Sequence, residues 1–467
     1  MRKWVVSLLF TLLAVWVALF VDTPGLPPEG KYPLVIFFWC IVLWIVRPIP
    51  EYLTSILGVA VLLVIGLNPA KDLLSGFAGT TWWMVTFANL LGACIIATGL
   101  GRRIAFFLLN KVGNSFLRVL YATTMTNNIL APFTPSNTAR GAIMYGVTEG
   151  INDAMGFKRG EKKGDHTITL ANMFINTTNT NMFLTAMGGN AIFVSLITSF
   201  TNRSLTWNDW FMAAFVPMLP AVLILPYIVY KLFPPDLKGI TLKKEIFAEK
   251  LAALGPMTRA EKATLVIMLL TLLMWATELV HGIDSATVSF FMAIALLFPG
   301  IGAVKWKDIE SKIPWDTLIW LGFAMSLAGV VNGTKGFQWL VDQGVAAAPW
   351  MQNLNFVGFM VVVLVVVTFA HILFSGMNAM GMIVVPVALS LAAANGFDPY
   401  AAGLATALCV STAAFFLPFN SAPNLLFYGS GRYDTYDHLK GAVPLAFVCI
   451  ACLLFGLFVW WPLIGLM

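Results

Sequence analysis

Apolar segments long enough to cross a membrane recur along the whole of this 467-residue chain, and they constrain its fold more than any other feature. A helix needs about 20 apolar residues to cross a hydrocarbon core of about 30 Å. Hydrophobic residues make up 59% of the chain and charged residues 11%, whereas a soluble domain carries about 25% charged residues. A soluble enzyme with a membrane anchor is therefore excluded, because no stretch remains to build the enzyme.

The apolar runs predict an all-α polytopic membrane protein with about eleven transmembrane helices and two pairs of shorter segments. The pairs lie near 115–150 and 354–395. The first run resembles a signal peptide, but it is long and lacks a small-x-small cleavage site, so we expect it to be retained as a span. The predicted crossings lie near 4–21, 32–48, 52–68, 79–98, 167–200, 208–233, 261–280, 283–302, 314–333, 399–428 and 441–465.

The charges in the loops predict which side of the membrane each terminus faces. Basic residues such as Arg102 and Lys163 fall on one side, together with the polar linker 234–260. Acidic residues such as Glu278 and Asp398 fall on the other side, with few bases. Because basic loops stay cytoplasmic, the amino terminus is predicted inside and the carboxyl terminus outside. The same bias explains the formal charge of +6 without a nucleic-acid partner.

Two halves of similar layout flank the linker. Each half has plain crossings, a short paired segment, a long interrupted helix and a final span, and the halves start from opposite sides. This is the pattern of inverted-repeat secondary transporters, and the short pairs then predict re-entrant hairpins that line a protein cavity. The predicted division is a first helix and external loop (1–30), a first repeat (31–233), a cytoplasmic linker (234–260), interpreted as a solvated tether rather than a regulatory module, and a second repeat (261–467).

The first hairpin turns where Pro132 and Pro135 stop the incoming helix. Ser136 and Asn137 are favoured N-cap residues for the outgoing helix. A helix that begins at mid-depth presents free N–H groups and the positive end of its dipole, which together form an anion site. We therefore predict that Ser136, Asn137 and Thr138 bind an anionic substrate, and the alternative is a simple helix cap.

Arg140 follows in the same turn. A guanidinium at mid-membrane costs about 2.5–3.5 kcal/mol on insertion scales and usually pairs or lines a polar cavity. We favour a fixed cation next to a dianionic substrate. The alternative is a structural ion pair with a nearby carboxylate such as Glu149.

The second hairpin supplies the candidate substrate residues Ser375, Gly376 and Asn378. Small and amide residues again lie where a turn must occur, and Asn378 is the predicted counterpart of Thr138. His371 lies inside the apolar helix before the turn, where it is equally a packing residue or a functional one.

Each half also contains one interrupted helix. The first is predicted to break within 176–181 or 185–190, and the second at two prolines, because proline removes a bond from the helical ladder. Polar groups at such breaks can satisfy the freed backbone or bind substrate. The candidate substrate residues are Thr185 and Gly188 in the first break, and Asn420, Ser421 and Pro423 in the second.

The sequence lacks the motifs of other membrane functions. No glycine-rich loop ending in Lys-Ser/Thr is present, so ATP does not drive this protein directly. No His, Cys and carboxylate cluster has metal-ligand spacing, no nucleophile stands beside a base, and no repeated filter or ring of charges indicates a channel. We expect no enzyme activity and no cofactor, apart from sodium ions in one alternative below.

Several runs resemble the divalent anion/sodium symporter (DASS) family, and the likeness covers nearly the whole chain. The run Ser-Asn-Thr-Ala-Arg at 136–140 is specific in this setting. The resemblance implies a homodimer in which a scaffold holds a mobile domain, as in an elevator, and di- or tricarboxylates of four to six carbons bound at the hairpin tips. The matching runs are 98–105, 131–133, 135–140, 182–187, His371 with 373–375, and 428–431.

Two of these runs, 135–140 and 182–187, are most similar to the exchanger branch, which includes citrate/succinate and 2-oxoglutarate/malate antiporters. Arg140 then occupies a place where the symporters keep a sodium site. The tip at 376–380 departs from the exchangers, and the break at 420–424 is more similar to the symporters. The resemblance implies exchange of succinate, malate, 2-oxoglutarate, tartrate or citrate class substrates. Sodium-coupled symport is the alternative, with sodium near Gly376, Asn378 and Asn420.

Overall fold

The computed structural model describes residues 2–112, 115–236, 244–302, 304–347, 354–374 and 376–467. Helices dominate these ranges and no extended strand occurs within them, which confirms the all-α prediction. The helices of seven residues or more are α1 (Arg2–Phe20), α2 (Pro28–Val46), α3 (Glu51–Ile65), α4 (Thr80–Thr98), α5 (Leu100–Val112), α6 (Phe116–Leu130), α7 (Asn137–Ala154), α8 (Asp165–Thr178), α9 (Gly188–Thr201), α10 (Trp207–Leu232), α11 (Lys244–Ala253), α12 (Arg259–Ala276), α13 (Ser285–Leu297), α14 (Trp315–Gly333), α15 (Gly336–Ala347), α16 (Phe356–Ala370), α17 (Met377–Ala394), α18 (Pro399–Thr412), α19 (Ala422–Tyr428) and α20 (Thr435–Phe455).

Many of these helices have the length and the apolar composition of membrane spans. In the described part of the chain, eight helices are long and apolar enough to cross a bilayer. Both arms of the second predicted hairpin, Phe356–Leu373 and Met377–Ala394, are among them. Three shorter apolar helices, Glu51–Ile65, Gly188–Thr201 and Ser285–Leu297, add to this set. The count of eleven crossings, the depth of the hairpins and the orientation of the termini stay predictions.

The chain forms two compact units, each assembled from both sequence halves. The first unit contains Met1–Trp83, Gly188–Leu205 and Pro314–Val410. Within it, α14 packs against α2, α3 and α9, and α17 packs against α9 and α15. A Cβ on Gly381 of α17 would lie 2.1 Å from the Phe193 ring of α9, so glycine is required for this close crossing.

The second unit contains Met84–Met187, Thr206–Ile313 and Ser411–Met467. Its long helix α10 packs against α6, α8 and α20, and α19 packs against α7 and α8. The predicted repeat boundaries follow the sequence order rather than these units, and they stay a prediction.

Both predicted helix breaks are present. The helix α8 ends at Thr178, two 3-10 turns follow at Asn179–Asn181 and Leu184–Ala186, and α9 begins at Gly188. In the second half, α18 ends at Thr412, and a 3-10 turn at Pro418–Asn420 precedes α19. Segments outside helices at such places leave backbone groups to be satisfied by side chains.

The described part of the linker differs from the predicted solvated tether. Residues 244–253 form α11, which packs against α5 and buries Phe247. The buried Arg103 of α5 donates to the carbonyl oxygens of Leu254 and Gly255 at 3.1 and 2.9 Å, and to the Glu261 carboxylate at 2.6 Å. A buried arginine is stable only when its charge and N–H groups have partners, and these bonds therefore hold the end of the linker against α5.

Candidate functional site

The tip of the first hairpin lies in the second unit and consists of a 3-10 turn followed by a capped helix. After α6 ends at Leu130, the segment Ala131–Phe133 forms a 3-10 turn that contains Pro132. Ser136 then caps α7, because its hydroxyl accepts a hydrogen bond from the Ala139 N–H at 3.2 Å. The sequence predicted this cap, and the capping bond uses one acceptor of the hydroxyl while its own O–H stays available.

Arg140 lies one turn into α7 and is completely buried. Its Nε donates to Asn127 Oδ1 at 3.0 Å, and one Nη donates to the carbonyl oxygens of Thr134 and Ala186 at 3.2 and 2.9 Å. The other Nη donates to the Asn176 carbonyl oxygen at 3.1 Å and to Asn179 Oδ1 at 3.2 Å. A guanidinium has five N–H groups, so all of them are used.

All five acceptors of Arg140 are uncharged oxygens, three from the main chain and two from asparagine side chains. The positive charge is therefore solvated by dipoles rather than neutralised by a carboxylate. It adds to the positive end of the α7 dipole at the hairpin tip. The guanidinium has no N–H left for a direct bond, so its effect on an anion at the tip acts through its field.

The alternative partner considered for Arg140, Glu149, is occupied elsewhere, and that expectation is wrong. Glu149 accepts from the buried Arg432 at 2.7 and 2.9 Å, and from Arg159 at 3.4 Å. Arg432 is only 2% exposed, and this carboxylate neutralises its buried charge, whereas the N–H groups of Arg140 are already donated to neutral oxygens.

An asparagine network fixes the Arg140 acceptors. Asn179 donates to Asn127 Oδ1 and to Asn128 Oδ1, both at 3.1 Å, and Asn127 donates to Asn176 Oδ1 at 3.4 Å. Asn176 in turn donates to the main-chain oxygen of Asn137 at 3.0 Å. The network ties α6, the end of α8 and the hairpin tip together. Sequence reasoning missed Asn127, although a Thr-Asn-Asn run in a helix among apolar residues was a visible signal.

The two broken helices contact each other within the second unit. Thr177 donates to Asn424 Oδ1 at 2.9 Å, and Asn424 donates to the Ala414 carbonyl oxygen at 2.8 Å. Thr180 also donates to the Ser411 carbonyl oxygen, and polar side chains thus satisfy the freed backbone.

The remaining predicted substrate residues of the second unit differ in burial and in whether their polar groups already have hydrogen-bond partners. Thr185 is buried, donates to the Pro132 carbonyl oxygen at 2.6 Å and accepts from the Trp207 indole at 3.2 Å. Asn420 accepts from the Leu417 N–H at 2.7 Å. The Ser421 hydroxyl is buried and has no hydrogen-bond partner among the described residues. Asn137 is half-buried, Thr138 is exposed and Pro423 is buried.

The predicted residues of the second hairpin lie in the first unit. Gly376 precedes α17 as its N-cap, and Asn378 is half-buried. Within the described ranges, the Asn378 Oδ1 atom is buried without a hydrogen-bond partner. Gly188 is the first residue of α9, and Ser375 lies outside the described residues. His371 is fully buried and hydrogen-bonds to the main chain of Val410, as a packing residue would.

An all-helical chain with these spans, broken helices and polar buried breaks defines a multi-pass membrane transporter. The chain matches the family described as the sodium:sulfate symporter transmembrane region over residues 2–467. It belongs to this family, the divalent anion/sodium symporters, as its sequence motifs predicted. Members of the family are transporters and not enzymes.

Curated relatives match over most of their length. The inner membrane protein YbhI of Escherichia coli is 31% identical and is matched over 92% of this chain and 91% of its own. The putative malate transporter YflS of Bacillus subtilis is 31% identical over 72% of this chain and 74% of its own. An L-tartrate/succinate antiporter of Escherichia coli is 27% identical over 94% of both chains. We place this chain in the inner membrane as a multi-pass protein.

The fold is similar to that of a solved transporter. The crystal structure of the Alcanivorax borkumensis YdaH transporter matches with a TM-score of 0.56 at 13% identity, over 93% of this chain and 99% of that one. At this identity the likeness concerns the fold alone.

Proposed function

We propose that this protein is a secondary active transporter that exchanges di- or tricarboxylates of the succinate, malate, 2-oxoglutarate, tartrate or citrate class. The names of the relatives, an L-tartrate/succinate antiporter and a putative malate transporter, support this substrate class. In this account Ser136, Asn137 and Thr138 of the first hairpin and Ser375, Gly376 and Asn378 of the second bind the carboxylates.

The observation that carries the proposal is the state of Arg140. Its charge is buried and is met only by neutral oxygens, which is the ligand type that a sodium ion prefers. A sodium ion does not fit at this place, because the guanidinium fills it. We infer that Arg140 is a permanent cation that attracts the dianion to the hairpin tip and that cannot dissociate as sodium does.

Membrane energetics favour exchange over uncoupled uptake. Moving two negative charges inward against 100 mV costs about 4.6 kcal/mol, twice the ~2.3 kcal/mol for one charge. This is on the order of a thousandfold in concentration, so uncoupled dicarboxylate would leak outward. Exchange of one dianion for another avoids this cost. A carrier with a fixed Arg140 charge resists reorienting while empty, which couples each inward step to an outward one.

For the movement itself we propose an elevator-type mechanism in a homodimer. The hairpins and broken helices would carry the substrate together past a scaffold. The bonds from Thr177 to Asn424 and from Thr185 to Pro132 support this, since they bind the first hairpin and both broken helices of the second unit to one another. Such a connected set moves as a body more readily than as separate helices.

Sodium-coupled symport of the same dicarboxylates is the second candidate. The Asn378 Oδ1 atom favours it, because it is buried without a hydrogen-bond partner among the described residues, and such an amide oxygen is a ready ligand for a hard cation. Symport against 100 mV needs at least two sodium ions to offset the dianion charge. One of these ions would lie near Gly376 and Asn378.

Flux into proteoliposomes separates the two. We expect labelled succinate to enter vesicles preloaded with succinate, without sodium, at a rate far above that into empty vesicles. Uptake into empty vesicles that requires an inward sodium gradient would contradict exchange and support symport. Transport that neither saturates nor responds to internal substrate would contradict both and indicate a channel.

A further inference from the structure

A cavity of about 580 Å³ lies in the second unit, further along α7 than Arg140. Its walls come from α4, α5, α7 and α11, and apolar side chains such as Ile95, Phe106 and Ile143 form much of them. Arg102 and Lys250 are its charged lining residues, and no carboxylate is found among the described residues that line it. A cavity with two cations, no acid and apolar walls suits an anionic group that carries hydrocarbon.

The two neighbouring arginines of α5 have different roles. Arg103 is buried and donates four hydrogen bonds, two to the Glu261 carboxylate and two to the carbonyl oxygens that follow α11. Arg102 is exposed, lines the cavity, and has no ion-pair partner in the described part of the chain. One arginine therefore holds the helices together, and the other presents its charge to the cavity.

Lys250 approaches the cavity from α11. Its Nζ lies 6.0 Å from the centre of the Phe106 ring and 4.0 Å from the place that a Cβ on Gly150 would take. No carboxylate pairs with it among the residues that the structure describes. A Cβ on Gly146 would meet nothing within 4 Å, so the glycines of α7 that line the cavity leave open space in it.

The helix that carries Arg102 has the character of an interfacial helix. Phe107 and Val112 of α5 are 50% and 42% exposed, and Lys111 extends over the Phe107 ring at 5.8 Å. Exposed apolar residues beside cations on one short helix are typical of a helix in the headgroup region. The basic residues of this helix, Arg102, Arg103 and Lys111, are among those that predict the cytoplasmic side.

We propose that this cavity binds the phosphate of an acidic phospholipid, with Arg102 and Lys250 as the phosphate ligands and the acyl chains against Ile95, Phe106 and Ile143. Basic pockets between membrane helices suit such headgroups. The bound lipid joins α5, α7 and α11, and so ties the helix of the hairpin tip to the linker helix. The proposal does not depend on which substrate the protein transports.

Thermal unfolding of the purified full chain in neutral detergent tests the proposal. We expect phosphatidylglycerol to raise the Tm in a saturable manner, and phosphatidylcholine to have no comparable effect, since a ligand that binds only the folded state stabilises it. Glycerol 3-phosphate tests whether the phosphate alone is sufficient. An equal Tm shift from glycerol 3-phosphate would overturn the lipid assignment in favour of a soluble phosphate ligand, and equal shifts from both lipids would overturn the site.

Variants locate the effect. The double change Arg102→Gln with Lys250→Gln is expected to weaken the apparent affinity for phosphatidylglycerol about thirtyfold, since each cation near an anionic lipid surface contributes about fivefold. Gly146→Leu places a side chain in the cavity at a position where a Cβ would meet nothing within 4 Å, and it is expected to remove the Tm shift with both charges retained. Lys111→Gln changes a cation of the same helix outside the cavity and is expected to keep the shift. An unchanged shift in both cavity variants would overturn the proposal.

Discussion

Gly141 lies so close to Pro423 that a Cβ carbon on residue 141 would be 2.8 Å from the Pro423 Cβ, and 3.1 Å from Asn176 Nδ2. The two residues belong to the first hairpin and to the second broken helix. This approach brings the residue after Arg140 against α19, and it leaves no room for a side chain. The contact explains why the specific run at the tip is followed by glycine.

Gly141→Ala is therefore expected to destabilise the second unit by about 1–3 kcal/mol, the usual cost of overpacking. Exchange should fall with it, because the hairpin tip must shift. The matched control is Gly146→Ala on the same helix, where a Cβ meets nothing within 4 Å. That change is expected to keep or raise the Tm, since alanine favours a helix. Equal Tm values for the two variants would show that the Pro423 contact is not tight.

Substitutions of Asn137 and Asn127 distinguish a residue that binds substrate from one that stabilises the fold. The Asn137 side chain has no hydrogen bond among the described residues, whereas Asn127 bonds to Arg140, Asn176 and Asn179. Asn137→Ala should raise the KM for succinate about tenfold, the loss of one bond to a charged ligand, with little change in Tm. Asn127→Ala should instead lower the Tm, because it leaves buried donors unpaired. The Asn137 prediction fails if its KM stays normal while its Tm falls.

Asn378→Ala is the corresponding change in the second hairpin, and it too is expected to raise the KM for succinate. Its Oδ1 atom is buried and unpaired within the described ranges, so removal costs the protein no hydrogen bond there. Radiolabelled uptake at several succinate concentrations measures the effect. If kcat falls while the KM is unchanged, Asn378 acts on movement and not on binding.

The ion pair between Glu149 and Arg432 predicts an acid limit to stability. Burial raises the pKa of Glu149, but hydrogen bonds and charge from Arg432 and Arg159 outweigh it, so the net pKa is lowered. The lowered pKa means that this stability is present above about pH 4.5 and is lost as the pH falls through the folded-state pKa. Glu149→Gln should destabilise the folded protein at pH 7 by about 3 kcal/mol, and so lower its Tm, because the buried Arg432 loses its nearest carboxylate and keeps Asp165 at 3.8 Å.

The pH series carries its own control. Between pH 7 and pH 3 the Tm of Glu149→Gln should fall less than that of the unchanged protein. Lys162→Gln removes the exposed ion pair of Lys162 with Asp434 and the contact of Lys162 with the buried Asp437. It is expected to cost less than Glu149→Gln, because Lys162 itself is exposed and can be solvated by water. Parallel Tm curves for Glu149→Gln and the unchanged protein would contradict the assignment.

Local features of the fold were predictable from the sequence, and long-range partners were not. Prolines and N-cap residues act on their neighbours, so the Ser136 cap and the helix break at Pro418 could be located. The pairing of Arg432 with Glu149 joins residues 283 positions apart, and nothing in either local sequence indicates it. The Arg140 acceptors were missed for the same reason, since three of them are main-chain oxygens that any residue provides.

The linker shows a further limit. Its many charged residues predict a solvated tether. Whether it packs depends on α5, where Arg102 and Arg103 are adjacent and the sequence does not tell which of them is buried and binds the linker. Only the long-range bonds of Arg103 decide this. Those to the Leu254 and Gly255 carbonyl oxygens hold the end of the linker against α5, and the bond to Glu261 holds α12 there.

The most direct test of the central claim compares Arg140→Gln with Arg140→Lys in succinate-loaded proteoliposomes, with the Tm of each variant measured to confirm that it folds. Both changes remove hydrogen bonds, but only lysine keeps the charge. If the fixed charge drives exchange, Arg140→Gln should lose at least about a hundredfold in exchange rate, since a unit charge several Å from a dianion contributes several kcal/mol. Arg140→Lys should then retain clearly more activity. Near-normal exchange by Arg140→Gln, or equal loss in both variants, would contradict the account.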